Sequence, residues 1–156
     1  MFITNNHNQG EKMNYEKAKI YAAQKNETND CTVKAVSIVC DVPYHVAHKA
    51  LALQGRVNRR GAYPNQIEKA IASLGFKFAH LVNVKAATCA TLARDHAVHK
   101  GFFVAYVKRH ILAVVDGKIE DWTATSCRRR LEGVYKIVPA VSRKERAERK
   151  AKVMLG

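Results

Sequence analysis

The chain has 156 residues, 47% of them hydrophobic, and this length suits one globular domain with its own hydrophobic core. Lysine and arginine total 27 against 13 acidic residues, so the formal net charge is +14. The sequence contains no internal repeat, no low-complexity segment and no apolar run of bilayer length, which excludes repeat architectures and membrane-spanning proteins and predicts no membrane partner.

Helical patterns fill the first half of the chain. Residues 1–12 are polar, and we expect them to form a flexible N-terminus. Pro43 and Pro64 suit the starts of helices, whereas Gly55 and Gly75 suit helix ends. Apolar spacing and these signals together predict helices over residues 13–24, 31–40, 44–53 and 65–74.

Strand patterns dominate the second half. The predicted elements are a strand over 76–82, a short helix over 88–99, β-rich runs over 101–115 and 118–122, a strand over 133–138 and a charged helix over 142–154. Because helices precede strands, we predict an α+β fold in which helices pack against a small antiparallel sheet. One domain is expected over residues 13–140, followed by a basic C-terminal helix over 141–156.

Cys31 stands where a reactive thiol is expected. Asn29 and Asp30 are good N-cap residues directly before the apolar-periodic run, so the thiol lies in the first turn of the predicted helix. Free backbone N–H groups and the positive end of the helix dipole favour a thiolate there, and they lower its pKa from about 8.5. Taken alone, a cysteine beside an apolar helix is more often a small buried hydrophobic residue.

A tight turn at Asp116-Gly117 sets the register of the hairpin that follows. Both residues tolerate the positive φ that two-residue turns require. With these two residues as the loop, Val115 pairs with Lys118. The side chains on each face of the hairpin follow from that pairing.

His110 and Asp121 share one face of this hairpin as diagonal neighbours. Their backbones would lie about 7 Å apart, within reach of a carboxylate–imidazole hydrogen bond that fixes the tautomer of the ring. Asp116 is the competing carboxylate, although its place in the turn explains it as backbone chemistry. A cysteine, a histidine and a carboxylate in this order predict a nucleophile, its base and the group that orients the base.

These motifs resemble those of the papain-like cysteine peptidases, including the small bacterial bacteriocin-processing peptidases and their phage and bacterial relatives. Asp-Cys-Thr-Val-Lys-Ala opens a helix at residues 30–35, and His-Ile-Leu-Ala-Val-Val-Asp-Gly-Lys-Ile-Glu-Asp follows at residues 110–121. The likeness extends over residues 24–138. It implies a nucleophile helix carrying Cys31, packed against an antiparallel sheet that supplies His110 as general base and acid and Asp121 as its orienter.

The same resemblance implies an oxyanion hole, in which a glutamine six residues before the cysteine joins the backbone N–H of the cysteine. Lys25 occupies that position in this chain. Gln24 and Asn26 flank it, so either amide is a candidate oxyanion donor if the loop differs by one residue. Loss of such a donor typically lowers the rate about a hundredfold to a thousandfold, so an inactive site is the alternative.

The positive charge is clustered, which predicts attraction to a polyanion. The clusters are Arg56, Arg59 and Arg60, then Arg128, Arg129 and Arg130, then Arg143, Lys144, Arg146, Arg149, Lys150 and Lys152. Solvated surface is the other explanation of basic runs, and no RNA-recognition motif, helix-turn-helix or zinc finger accompanies them. Nucleic acid bound at Arg128, Arg129 and Arg130 and an acidic protein are therefore alternative partners.

The other three cysteines are expected to be reduced structural thiols. Cys40, Cys89 and Cys127 form no CxxC pair and do not belong to a small secreted scaffold. The N-terminal residues lack the basic and apolar regions of a signal peptide. Both observations predict a cytoplasmic protein, in the host cytoplasm if the chain is encoded by a phage.

Two histidine pairs have the spacing of helical metal ligands. His45 and His48, and likewise His96 and His99, are three residues apart. Neither pair has an acid or a cysteine at metal-ligand spacing. We therefore predict no metal and no other cofactor.

Three functions fit these residues. The first is a thiol hydrolase that cleaves a peptide or isopeptide bond in a peptide or protein substrate, with Cys31 as its nucleophile. A transglutaminase-like acyl transferase would use the same three residues, with an amine in place of water. The third is a catalytically inactive papain-like protein that binds nucleic acid or a host factor through its basic surface.

Overall fold

The computed structural model describes residues 12–121 and 128–156, which form six α-helices, one 3-10 helix and five β-strands. In chain order these are α1 (Tyr15–Gln24), α2 (Cys31–Val39), α3 (Tyr44–Leu53), α4 (Pro64–Ser73), β1 (Phe76–Leu81), α5 (Cys89–Leu92), the 3-10 helix (His96–Val98), β2 (Phe102–Val107), β3 (His110–Val115), β4 (Lys118–Glu120), β5 (Leu131–Pro139) and α6 (Arg143–Leu155). The four helices of the first half, the first and last strands and the terminal helix confirm the predicted elements to within about two residues.

The five strands form one antiparallel sheet in the order β1-β5-β2-β3-β4. Helices α1 to α4 precede the sheet in the chain, and α6 follows it. This arrangement confirms the predicted α+β class.

Helix α2 lies in the centre of the core because it is apolar on almost every side. Val33, Val36 and Ile38 are fully buried, and the helix packs against α3 and against strand β3. A helix that is hydrophobic all round is stable only when other elements enclose it. This enclosure gives α2 a single orientation relative to the sheet.

The β-rich run predicted over residues 101–115 is two strands. Strands β2 and β3 pair with each other, with Val107 opposite His110, and Arg109 has a φ of 59° in the turn between them. No glycine, proline, asparagine or aspartate marks this turn, so the usual turn signal is absent from the sequence. The turn makes His110 the first residue of β3.

The turn at Asp116-Gly117 has the predicted form. The φ angles are 48° and 82°, and Val115 pairs with Lys118 as expected. The Asp116 carboxylate accepts a hydrogen bond of 2.8 Å from the backbone N–H of Gly101, which confirms its role in backbone chemistry.

The single helix predicted over residues 88–99 is wrong. The chain forms α5 and then a separate 3-10 helix, divided at Asp95. The Asp95 carboxylate accepts hydrogen bonds from the backbone N–H groups of Lys85, Ala86 and Ala97. These bonds compete with the helical ones and end the helix early.

The C-terminal helix α6 belongs to the same core as the rest of the domain. It packs against α3 and α4, Val153 is buried in the main core, and Arg149 donates a hydrogen bond of 3.0 Å to the carbonyl of Ala72. None of the helices in the described ranges is long and apolar enough to cross a membrane.

Candidate active site

Cys31 is the first residue of α2 and follows the N-cap Asp30. The buried Asp30 carboxylate makes no capping bond. It accepts a hydrogen bond of 2.7 Å from the Tyr44 hydroxyl and pairs with Lys34 at 3.1 Å. Asp30 therefore occupies the predicted N-cap position, but its carboxylate does not cap the helix because these partners take it. The first backbone N–H groups of a helix have no partner within it, so the positive end of the dipole lies at the thiol.

The Cys31 thiol forms a hydrogen bond with His110, the first residue of β3. The other side of the imidazole is held by Asp121, whose Oδ2 lies 2.9 Å from His110 Nε2. Both side chains of this ion pair are more than nine-tenths buried. The structure thus brings the predicted nucleophile, base and orienting carboxylate into one hydrogen-bonded row.

The electrostatics of this row favour a charged pair. Burial opposes charge on His110, but the hydrogen bonds to Asp121 and Cys31 outweigh it and raise the His110 pKa from 6.5 to about 9. Burial likewise opposes a thiolate at Cys31, but hydrogen bonds from His110 and from the backbone of Ile111 lower the Cys31 pKa below its ordinary value. A thiolate beside an imidazolium is therefore the favoured state between the lowered Cys31 pKa and the His110 pKa of about 9.

A cavity of about 340 Å³ opens beside the nucleophile. Its walls come from the start of α2, the loop before α4, the start of α4 and the β2–β3 hairpin, and include Cys31, Thr32, Ala62, Pro64, Tyr106 and Arg109. His110 lines the same cavity, whereas Asp121 lies behind it. A substrate carbonyl could therefore reach the thiol and the imidazole from this side.

The two predicted side-chain oxyanion donors do not line this cavity. Gln24 is the exposed last residue of α1. Asn26 has a φ of 51° and lines a separate cavity with Glu27 and His48. The donor that lies at the nucleophile itself is the backbone N–H of Cys31, at the free start of the helix.

A buried ionic cluster supports the loop before Cys31, and the sequence analysis did not identify it. Glu27 lies 2.8 Å from His48 Nε2 and 3.3 Å from the Arg56 guanidinium, and it accepts a hydrogen bond from the backbone N–H of Arg59. Burial raises the Glu27 pKa, but these hydrogen bonds outweigh it and lower the pKa from 4.5 to about 2. The cluster joins the loop before α2 to the loop after α3.

The basic clusters have mixed roles. Arg56 is buried in the Glu27 cluster, so it is not part of a solvated face. Arg146 donates to the carbonyl of Val141 and lies over the ring of Phe76. Both arginines therefore stabilise the fold more than they offer charge to a partner.

The three consecutive arginines are exposed at the start of β5. Arg130 forms a β-bridge with Thr88, and Arg129 donates a hydrogen bond of 3.5 Å to the carbonyl of Lys108. Their contact with nucleic acid stays a prediction.

The cysteines differ in state. Cys40 is a buried free thiol, and burial raises its pKa. Cys89 is disulfide-bonded, so the prediction that it is a reduced thiol is wrong. An even number of cysteines is the signal that could have indicated a disulfide. Cys127 lies outside the described residues.

The histidine pairs contact other groups. His48 pairs with Glu27 in the buried cluster. The rings of His96 and His99 lie 4.8 Å apart, centroid to centroid. Across residues 12–121 and 128–156, no group of three or more His, Cys, Asp or Glu residues could hold a metal ion.

No family model, curated protein or solved structure matches this chain. The geometry of Cys31, His110 and Asp121 is therefore the main indication of its function.

The Asp121→Asn variant tests how the carboxylate acts on His110. The amide keeps the size of the side chain but removes the charge, so the His110 pKa is expected to fall from about 9 towards its ordinary value of about 6.5. The rate of Cys31 alkylation by iodoacetamide, measured against pH, should report this fall in the His110 pKa. The change in rate that accompanies loss of the imidazolium proton should occur at a lower pH than in the wild type. Asp116→Asn, in the turn of the same hairpin, is the control and should leave the profile unchanged. An unchanged profile in Asp121→Asn would contradict the assigned role.

Proposed function

We propose that this protein is a thiol hydrolase that cleaves a peptide or isopeptide bond. The observation that carries the proposal is the hydrogen-bonded row from Cys31 through His110 to Asp121, with the thiol at a helix N-terminus and beside an open cavity. The raised His110 pKa and the lowered Cys31 pKa favour the state in which the thiol is a nucleophile and the imidazole is an acid.

The reaction follows from these three groups. The Cys31 thiolate attacks the substrate carbonyl carbon, and the carbonyl oxygen takes up the negative charge near the backbone N–H of Cys31. His110 gives its proton to the leaving amine as the C–N bond breaks, which leaves a thioester on Cys31. His110 then removes a proton from water, and the resulting hydroxide releases the acid and restores the thiolate. Asp121 keeps the imidazole oriented throughout.

The arrangement of elements supports a papain-like form of this enzyme. Helix α2 carries Cys31 at its N-terminus and packs against β3, which begins with His110. A helix with a cysteine at its N-terminus, packed against an antiparallel sheet, is what the resemblance to papain-like peptidases implies. The exposed Lys25 is a departure from the family pattern, and the proposal therefore assigns oxyanion binding to backbone N–H groups at the start of α2.

A peptide library tests the proposal directly. Pools of acetylated hexapeptides are incubated at pH 7 with the wild type and with Cys31→Ala, and new amino termini are detected by mass spectrometry. Cleavage by the wild type that is absent from Cys31→Ala supports a thiol hydrolase. Equal cleavage by both would overturn the mechanism.

Lysine added to the same assay separates hydrolysis from acyl transfer, and hydroxylamine detects the thioester that both share. Both reactions pass through a thioester, which hydroxylamine traps as a hydroxamate, but a transferase favours an added primary amine over water as the acceptor. Free acid as the main product supports the hydrolase, and amide formed with added lysine supports the transferase. Absence of cleavage, hydroxamate and amide would mean that the site is inactive and would favour the third function, a basic binding protein.

A further inference from the structure

The cavity at Cys31 continues into a second one along the sheet. The second cavity has a volume of about 380 Å³ and shares Pro64, Tyr106 and Glu132 with the first. Together they form a groove between α4 and the sheet, with Cys31 at one end and Tyr135 at the other. We call this the α4 groove.

Aromatic rings line the far part of the α4 groove. Tyr135 contacts Phe78 at 5.5 Å and meets the edge of Tyr106 at 5.8 Å, measured between ring centroids. Burial, helped by Tyr135 and Glu68, raises the Tyr106 pKa to about 12, so its phenol stays neutral at physiological pH. Neutral aromatic rings bind both apolar groups and cations.

Two carboxylates line the far part of the α4 groove. Glu68 and Glu132 are exposed and line the groove, and neither forms an ion pair within the described residues. On a chain of net charge +14, two free carboxylates beside aromatic rings mark a local site of the opposite sign. Arg109 lines the cavity at Cys31, Glu68 lines the far cavity, and Glu132 lines both.

A buried hydroxyl next to the nucleophile also lacks a partner. Thr32 is 3% exposed and lines the cavity at Cys31, and its hydroxyl makes no hydrogen bond within the described part of the chain. The oxygen itself has almost no solvent-accessible surface, so Thr32 forms part of the cavity wall beside the nucleophile without offering a free hydroxyl to a ligand.

We propose that the α4 groove binds a peptide substrate through a lysine or arginine side chain, which Glu68 and Glu132 contact beside Tyr106. The inference rests on the proposed thiol hydrolase function and names its substrate class. The peptide carbonyl to be cleaved lies at Cys31, and the cationic side chain lies towards Tyr135. Its charge is balanced by the carboxylates, and its aliphatic part packs on the rings.

Peptides that differ in one side chain test this assignment. Acetylated hexapeptide pools with lysine, norleucine or glutamate fixed at each position in turn are compared by kcat/KM in the wild type, in the Glu68→Gln/Glu132→Gln double variant and in Glu148→Gln. Glu148 is an exposed acid on α6 that makes no ion pair in the described ranges, so its variant is the matched control. At one position, lysine is expected to exceed norleucine about tenfold in the wild type and in Glu148→Gln, with the ratio near one in the double variant.

Binding of the same pools separates a failure of this inference from a failure of the enzyme function. The pools are passed over immobilised Cys31→Ala protein, and retention is measured by mass spectrometry with and without the double substitution. Cleavage without a preference for lysine, or with a preference that survives the double substitution, overturns the substrate assignment and leaves the hydrolase standing. Retention of lysine pools without any cleavage overturns the hydrolase and supports the groove as a cation-binding site. If the lysine pools are neither selectively retained nor selectively cleaved, the assignment of the groove as a cation-binding site is overturned.

Discussion

Replacing His110 with alanine is expected to abolish turnover, with a loss of at least about a thousandfold. The imidazole donates the proton that the leaving amine needs, and its hydrogen bond lowers the Cys31 pKa. Without His110, burial is the main influence on the thiol, so its pKa should rise and the thiolate should disappear near neutral pH. Alkylation of Cys31 by limiting iodoacetamide at pH 6, measured by peptide mass spectrometry, should slow at least about tenfold.

The control for this experiment is His80→Ala, which removes an exposed histidine of β1. It should retain both turnover and fast alkylation. The buried free thiol of Cys40 provides an internal reference, since it should stay unreactive in all three proteins. Fast labelling of Cys31 in His110→Ala would contradict the ion pair, because a group other than His110 would then stabilise the thiolate.

Replacing Glu27 with glutamine is expected to lower the free energy of unfolding by about 3 kcal/mol. The side chain of Arg56 is 1% exposed, and Glu27 is the acid that pairs with it. Without the carboxylate, the buried guanidinium loses the counter-charge that Glu27 supplies, whereas the amide oxygen of glutamine can still accept from the backbone N–H of Arg59. Urea denaturation at pH 7 measures the change. Glu148→Gln on α6 is the control and should change stability by less than about 0.5 kcal/mol.

The pH dependence of that difference has a definite sign. The Glu27 pKa is lowered from 4.5 to about 2, so the folded state favours the ionised carboxylate. Its contribution to stability is therefore complete above about pH 4.5 and is lost as the pH falls towards 2. The gap between wild type and Glu27→Gln should shrink over this range. A gap that stays constant would contradict this assignment, because the difference in stability would then not depend on the ionisation of Glu27.

The nucleophile helix and the tight turn could be predicted from the sequence because each depends on neighbouring residues. The apolar periodicity after Cys31 predicted α2 almost to the residue, since the helix is stabilised by one continuous apolar surface. Asp116-Gly117 indicated its turn through the φ angles it tolerates. The turn predicted that Asp121 lies next to His110, whereas the contact between Cys31 and His110 depends on the packing of α2 against β3.

Other features could not be predicted from the sequence. Some have no local sequence signal, and in others a side chain has a hydrogen-bond partner that the local sequence does not indicate. The turn before His110 contains Lys108 and Arg109, which carry no turn signal, so two paired strands read as one run. The predicted helix ends early because the Asp95 carboxylate accepts hydrogen bonds from three backbone N–H groups. Asp30 occupies the N-cap position of α2, but the Tyr44 hydroxyl and Lys34 take the carboxylate that would have capped it.

The sequence by itself determined the α+β class, the helix that begins at Cys31 and the turn that brings Asp121 back towards His110, since all of these follow from apolar periodicity and backbone propensity over a few residues. Only the tertiary structure decided what meets across the chain. It joined Glu27 to His48 and Arg56, brought α4 alongside the sheet to form a groove, and left Gln24 and Asn26 away from the thiol. These contacts depend on packing between elements that are distant in the chain, and neither periodicity nor propensity encodes the distance between them.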